Sequence, residues 1–321
     1  MRIGVSLPNV GLDHGKEMLL PIAEAAERLG FDSLWAAHHV VLPYERASEY
    51  PYQRSGTEIA MNPGMQWLDP LITLATVAGA TEKVGLGTSV LVLPYRNPVT
   101  LAAEVAALDV LSEGRLILGV GSGWMREEFE AIGIDPAERG ARTDEHIQVL
   151  KTLWRDDPAS FDGRFTRFKD VALATTPRSE GGPPIWVGGN KEPGMRRALQ
   201  YGDGWHSMEV YPEDMQEVNS ELARIGQQVG RDPAQLDISV VRGLIPPGQE
   251  DDSFIPERRM LGGSAQSVID ELGAYQEAGV DLVLIQISLL APLVPDALEW
   301  VASEVLSAAG PPPVAINSRP R

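Results

Sequence analysis

What constrains this chain most is a repeated pattern. A short apolar strand is followed by a longer stretch with apolar residues at helical spacing, and this recurs eight times in 321 residues. Arg2–Pro8 alternates around Ile3, Val5 and Leu7. Met18, Ile22, Ala26 and Leu29 then recur at helical spacing, and Gly30 supplies a stop. Further strands are predicted over Ser33–Ala37, Val84–Val92, Leu116–Val120, Ile185–Val187, Gly204–His206, Ile238–Leu244 and Leu282–Ile287. Helices are predicted over Pro70–Thr81, around Leu101, Val105 and Leu108, and over Ala141–Trp154, Glu192–Tyr201 and Pro212–Val229. Two more are marked by Ala265, Val268, Leu272 and Tyr275, and by Leu298–Leu306. A doubly wound sheet could hold as many units, but the opening turn, Pro8-Asn9-Val10-Gly11, lacks the spacing of a dinucleotide fingerprint. The pattern therefore predicts the α/β class and a single (β/α)8 TIM barrel, with its working site at the C-terminal ends of the strands.

Periodicity fails in Val41–Trp67, Arg155–Arg178 and Ile245–Gly262, read as insertions after strands 2, 4 and 7. The first and last follow strands, which predicts lids on the C-terminal face; Phe161–Phe168 reads as a small hairpin. The barrel domain is expected over 1–309, with a Pro-rich tail over 310–321.

The absence of cysteine excludes disulfides, thiolate catalysis and cysteine-ligated metals, and is what a cytoplasmic protein shows. A net charge of −18 argues against a nucleic-acid partner. No apolar run reaches about 18 residues, so no membrane helix is expected, and the first residues do not read as a signal peptide. An anionic ligand must be met by locally arranged donors.

Those donors can be sought at strand ends. His38 and His39 follow strand two, where an imidazole suits acid–base work or serves as a structural hydrogen-bonder. Thr88 and Ser89 are small enough to let a planar ring approach backbone. Gly119-Val120-Gly121-Ser122-Gly123 permits close approach of a ligand or unusual backbone angles, and Trp124 is a pocket wall or a core residue. Gly188-Gly189-Asn190-Lys191 opens into a helix, the arrangement of a phosphate site or of a tight turn. His206, ending strand six, is a further polar candidate.

The segments GFDSLWAAHHVVLP, LGTSVLVLPYRNP, GRLILGVGSGWMREEFEAIG, PPIWVGGN and YGDGWH, in this order, resemble the bacterial luciferase-like oxidoreductases, especially their coenzyme F420-dependent (deazaflavin) branch. The resemblance runs from Arg2 to about Ile287 and implies the barrel independently. It implies a cis peptide near Ser89–Val90 behind the cofactor ring, with cofactor contacts from His38, Ser89, Val90, Val92, Ser122 and Gly123. It implies phosphate binding at Gly188 and Gly189 with Asn190 and Lys191, and an acid–base role for His39 with His38. It also implies a homodimer. The F420 branch usually carries an acidic residue where His38 stands, and the flavin monooxygenase branch a Glu-His-His run; Ala37-His38-His39 matches neither fully. Trp124 replaces a glutamate used by a sugar-phosphate dehydrogenase group, which speaks against that substrate class.

The expected function is hydride transfer between F420 and a small organic substrate. The alternatives are an FMN-dependent monooxygenase, using oxygen and reduced flavin from a separate reductase, and a non-catalytic flavin-binding barrel. Tyr44, Tyr50, Tyr52 and Trp67 suggest an apolar or ring-bearing substrate, or pack the lid.

Overall fold

In the computed structural model, which describes residues 1–11, 15–52, 61, 63–245, 260–286 and 294–307, the strands close on one another. They are β1 (Arg2–Ser6), β2 (Ser33–Ala36), β3 (Gly85–Thr88), β4 (Leu116–Gly121), β5 (Ile185–Gly188), β6 (Gly204–Met208), β7 (Asp237–Gly243) and β8 (Leu282–Gln286). Each pairs in parallel with the next, and β8 pairs with β1 through Arg2↔Leu282 to Val5↔Ile285. This is the (β/α)8 barrel that the alternation predicts. Its helices are α1 (Lys16–Leu29), α2 (Pro70–Ala78), α3 (Pro98–Leu111), α4 (Arg126–Ile132), α5 (Arg139–Arg155), α6 (Glu192–Tyr201), α7 (Met215–Val229), α8 (Ala265–Glu277) and α9 (Val294–Trp300). Among the described residues no helix is long and apolar enough to cross a membrane.

Two cores result. The larger lies between strands and helices; a smaller one fills the barrel with Trp35, Ile117, Trp186, Val241, Leu282 and Leu284. The tryptophans fit because neighbouring strands carry glycine: a Cβ at Gly87 would stand 2.3 Å from the Trp35 ring, and one at Gly204 2.5 Å from Trp186. His206 stacks on Trp35 at 5.2 Å and 9°. These rings form a solid floor, which leaves the C-terminal mouth as the open end.

Caps fix the loops around that mouth. The Asp69 carboxylate accepts from the amides of Leu71 and Ile72 to start α2, and Asn97 does the same for Val99 and Thr100 at α3. Arg96 pairs with Asp69 and so ties the two caps together.

Three elements differ from the sequence reading. The third strand is not continuous over Val84–Val92: β3 stops at Thr88, the Ser89–Val90 peptide is cis, and Leu91–Val92 resumes against Val120–Gly121. The connection after β4 contains α4, whose seven residues, about two turns, are too few for periodicity to reveal, and α5 begins at Arg139 rather than Ala141. The Arg155–Arg178 stretch follows α5, not strand four, so it enters β5 from the opposite end of the barrel. It holds the expected hairpin, Ala159–Asp162 against Arg167–Val171, whose turn amides at Arg164, Phe165 and Thr166 are held by Glu145. The tail over 310–321, Ile287 and most of Ile245–Gly262 lie outside the described residues.

Candidate active site

A cavity of about 1080 Å3 opens at the barrel mouth, lined by His38, His39, Ser89, Val90, Val92, Ser122, Gly123, Gly188, Gly189, Asn190 and Lys191, whereas Thr88, Gly119 and Val120 do not reach it. Part of the first insertion roofs it through Tyr50, Tyr52 and Trp67. Tyr44 is 93% exposed and takes no part.

His39 is the most constrained polar group in the wall. Its Nδ1 lies 2.7 Å from Glu128 Oε2, with the carboxylate 1% exposed. Glu128 also accepts from the Val40 and Val41 amides through Oε1 and from the Tyr95 hydroxyl through Oε2. Burial alone would raise the Glu128 carboxyl, but the His39 bond and charge together with the two amides hold it below the ordinary carboxylate value. An ionised acceptor fixes the proton of neutral His39 on Nδ1 and leaves Nε2, which has no partner among the described residues, for the cavity. Burial and the Glu128 charge keep the Tyr95 phenol protonated. Neither Glu128 nor Tyr95 is a candidate in the sequence reading; Glu128 stands in a quoted segment, but nothing local shows that it meets a histidine 89 positions away.

His38 points elsewhere. Its Nδ1 accepts from the Val92 amide at 3.1 Å, so its proton sits on Nε2, which is buried without a partner. Burial, assisted by the Arg96 charge, lowers its pKa to about 4, so it is a neutral donor at neutral pH.

Beneath the cis peptide runs an ordered hydrogen-bond chain. Ser239 Oγ donates to the Trp205 carbonyl and accepts from His206 Nδ1 at 2.7 Å. His206 Nε2 therefore accepts from Ser89 Oγ at 2.9 Å. Burial lowers the His206 pKa to about 3, which keeps this chain neutral.

The glycines also make room within the protein. A Cβ at Gly119 would lie 1.8 Å from the Thr88 carbonyl oxygen, and one at Gly121 2.7 Å from Val90 Cγ2. Their bareness admits the neighbouring strand's break; Thr88 Oγ1 donates to the Gly119 carbonyl at 2.6 Å to seal it. Gly188 likewise faces Val90, at 3.2 Å. Gly123, with φ of +75°, turns the chain between Val92 and Phe129.

The opposite end of the cavity is cationic. Lys191 caps α6 and, like Arg139 at the start of α5, has no carboxylate partner among the described residues. Arg197 also lines this end, but it is buried and held by Asp144 and the Gly140 carbonyl. Two of the expected phosphate contacts are committed within the protein. The Gly189 amide donates to the His206 carbonyl at 3.3 Å, and the Asn190 side chain bonds the Met208 backbone in both directions. What remains for an anion is Lys191, Arg139, which donates to the Pro136 carbonyl but has no carboxylate partner among the described residues, and the α6 N-terminus.

Comparison with known proteins agrees with this architecture. The chain is 29% identical over 230 residues to an uncharacterised protein of Mycobacterium tuberculosis, covering 71% of this chain and 78% of that one. It is 30% identical over 186 residues to the oxygenase component of the flavin-dependent trigonelline monooxygenase of Acinetobacter baylyi, covering 57% and 46%. The monooxygenase RslO1 from Streptomyces bottropensis superposes with a TM-score of 0.78 at 24% identity, covering 97% of this chain and 100% of that one. An F420-dependent secondary alcohol dehydrogenase, solved with an F420–acetone adduct, does so with 0.74 at 20% identity, covering 95% and 98%. At those identities the two structures speak to the fold. The family model described as luciferase-like monooxygenase matches residues 1–253, which, with the barrel and its furnished mouth, shows that this enzyme belongs to the luciferase-like monooxygenase family.

Proposed function

We propose that the chain is a coenzyme F420-dependent oxidoreductase acting on a small organic substrate. The observation that carries this reading is the pairing of His39 with a buried carboxylate in the wall of a cavity larger than one drug-sized ligand needs. The residues present fit a flat ring with a phosphate-bearing tail: among the described residues His38 Nε2 is a buried donor without a partner, and Lys191 and Arg139 are cations without a carboxylate partner at the far end. When bound, the deazaflavin supplies a ring carbon that gives or takes a hydride. Val90 and the Gly121–Gly123 turn line the place for a ring, and Ser89 is held still by His206. His39 Nε2 accepts the proton of a substrate hydroxyl as its carbon loses a hydride, and returns it in the reverse direction. Glu128 stabilises the imidazolium formed in between.

The test is anaerobic mixing of the protein with reduced F420 and a panel of carbonyl acceptors. Protein-dependent oxidation of the cofactor, abolished by His39→Ala, is the expected result. Turnover only with reduced FMN and oxygen would favour the second reading, an FMN-dependent monooxygenase fed by a reductase; the similarity to the flavin-dependent trigonelline monooxygenase supports that reading.

We further propose a homodimer formed through α2 and α3, which expose Ile72 at 70% and Leu111 at 67%. Light scattering should give twice the chain mass, and Ile72→Glu with Leu111→Glu should halve it.

A further inference from the structure

The end of the cavity away from the cations is built of rings. Trp67 meets His39 edge-on at 4.5 Å, and Trp124 meets it at 6.1 Å and 84°. Tyr50 meets Trp124 at 5.3 Å, and Tyr52 meets Tyr50 at 5.5 Å. Edge-to-face contacts fix these rings without stacking them on each other, so ring faces remain for another flat molecule.

Among the described residues fixed charge is scarce at this end apart from Arg46, whose guanidinium lies over the Trp124 ring at 5.4 Å and is met by the ring face. Glu128 is fully engaged by His39, Tyr95 and two amides. Glu49 is exposed at the rim, where it meets water, and its sign works against an anion. The Tyr50 hydroxyl donates to Met208 Sδ. Besides His39 Nε2, two hydrogen-bonding groups are left over among the described residues: the buried Trp67 indole N–H and the Tyr52 hydroxyl. Burial raises the Tyr52 phenol, so it stays protonated.

We infer that the substrate is a neutral, flat aromatic molecule carrying an oxygen that pairs with the Tyr52 hydroxyl. The inference rests on the proposed function only in assigning the cationic end to the cofactor.

Calorimetric titration of the protein with 2-naphthol, naphthalene, naphthalene-2-sulfonate, N-methylquinolinium and 1-decanol tests it. The expected result is 2-naphthol binding at least about tenfold tighter than the sulfonate, the quinolinium or decanol, a gap of about 1.4 kcal/mol. Tyr52→Phe should weaken 2-naphthol by about tenfold and leave naphthalene unchanged, the latter showing that the wall still stands. Equal binding of decanol or of either ion, or a Tyr52→Phe protein that holds 2-naphthol as well as the parent, overturns the inference. So does displacement of 2-naphthol by saturating FMN or F420, which would place the probe where the cofactor belongs. Failure of both cofactors to bind counts against the proposed function alone, because the probe titration needs neither.

Discussion

His39 Nδ1 and Glu128 Oε2 stand 2.7 Å apart, and the other oxygen of the same carboxylate holds the Val40 and Val41 amides. The group that orients the imidazole therefore also fixes the first residues of the loop that roofs it. Glu127 extends the arrangement by accepting from the Ala47 and Ser48 amides, so the short helix α4 clasps the loop at two points. A change at Glu128 reaches both the proton-handling atom and the enclosure around it.

Glu128→Gln replaces an acceptor pair with one acceptor and one donor, so its N–H groups either face the Val40 and Val41 amides or force the proton of neutral His39 from Nδ1 to Nε2. Loss of roughly 1–3 kcal/mol of stability is expected, together with a fall in turnover toward that of His39→Ala, about 10²–10⁴-fold. Glu128→Asp should recover part of the turnover. Thermal melts and steady-state kinetics check this, and nitrogen NMR should find the neutral His39 proton on Nδ1 in the parent only.

Acid lability should come in two stages. His38 and His206 have folded pKa values lowered to about 4 and about 3 from 6.5. Between 6.5 and those values the unfolded chain binds protons that the folded chain refuses, so stability declines as pH falls through this window. Glu128 acts lower down: its depressed pKa contributes stability that is present above 4.5 and lost as pH falls further. Melting temperatures across pH should show both limbs, and His206→Gln should make the upper one shallower.

Gly119→Ala should be far worse than Gly188→Ala. The first puts a methyl 1.8 Å from a backbone carbonyl oxygen, which cannot move without opening the β3–β4 junction. The second meets Val90 Cγ1 at 3.2 Å, and a side chain can yield a few tenths of an ångström. A loss above about 3 kcal/mol is expected at Gly119 and about 1 kcal/mol at Gly188, read from denaturant melts.

Lys191→Ala should weaken cofactor binding and reduce its salt dependence while leaving the melting temperature unchanged, because the ammonium is exposed and unpaired among the described residues. Arg197→Ala should do the reverse: it leaves Asp144 and the Gly140 carbonyl without their partner and lowers stability by roughly 1–3 kcal/mol.

The barrel was legible because its strands are short apolar runs separated by amphipathic helices, a signal local to each segment. That His38, His39, Gly188 and Gly189 would line the mouth was legible for the same reason, as adjacent residues at strand ends. Glu128, Tyr95 and Arg139 were not, since their meaning comes from contacts across the mouth that no local pattern records. Gly119 and Gly121 were legible as places of close approach, but not that the groups approaching them include Thr88 and Val90 of the neighbouring strand. The break in the third strand was invisible to apolar patterning and entered only through the family resemblance.

On the proposed function, this mouth holds a deazaflavin in preference to a flavin. Equilibrium titration of the cofactor-free protein with F420 and, separately, with FMN, followed by ring fluorescence, tests it most directly. Saturable F420 binding about tenfold or more tighter than FMN, weakened by Lys191→Ala, is expected. FMN binding as tightly as F420, or no binding of F420 at all, would contradict it.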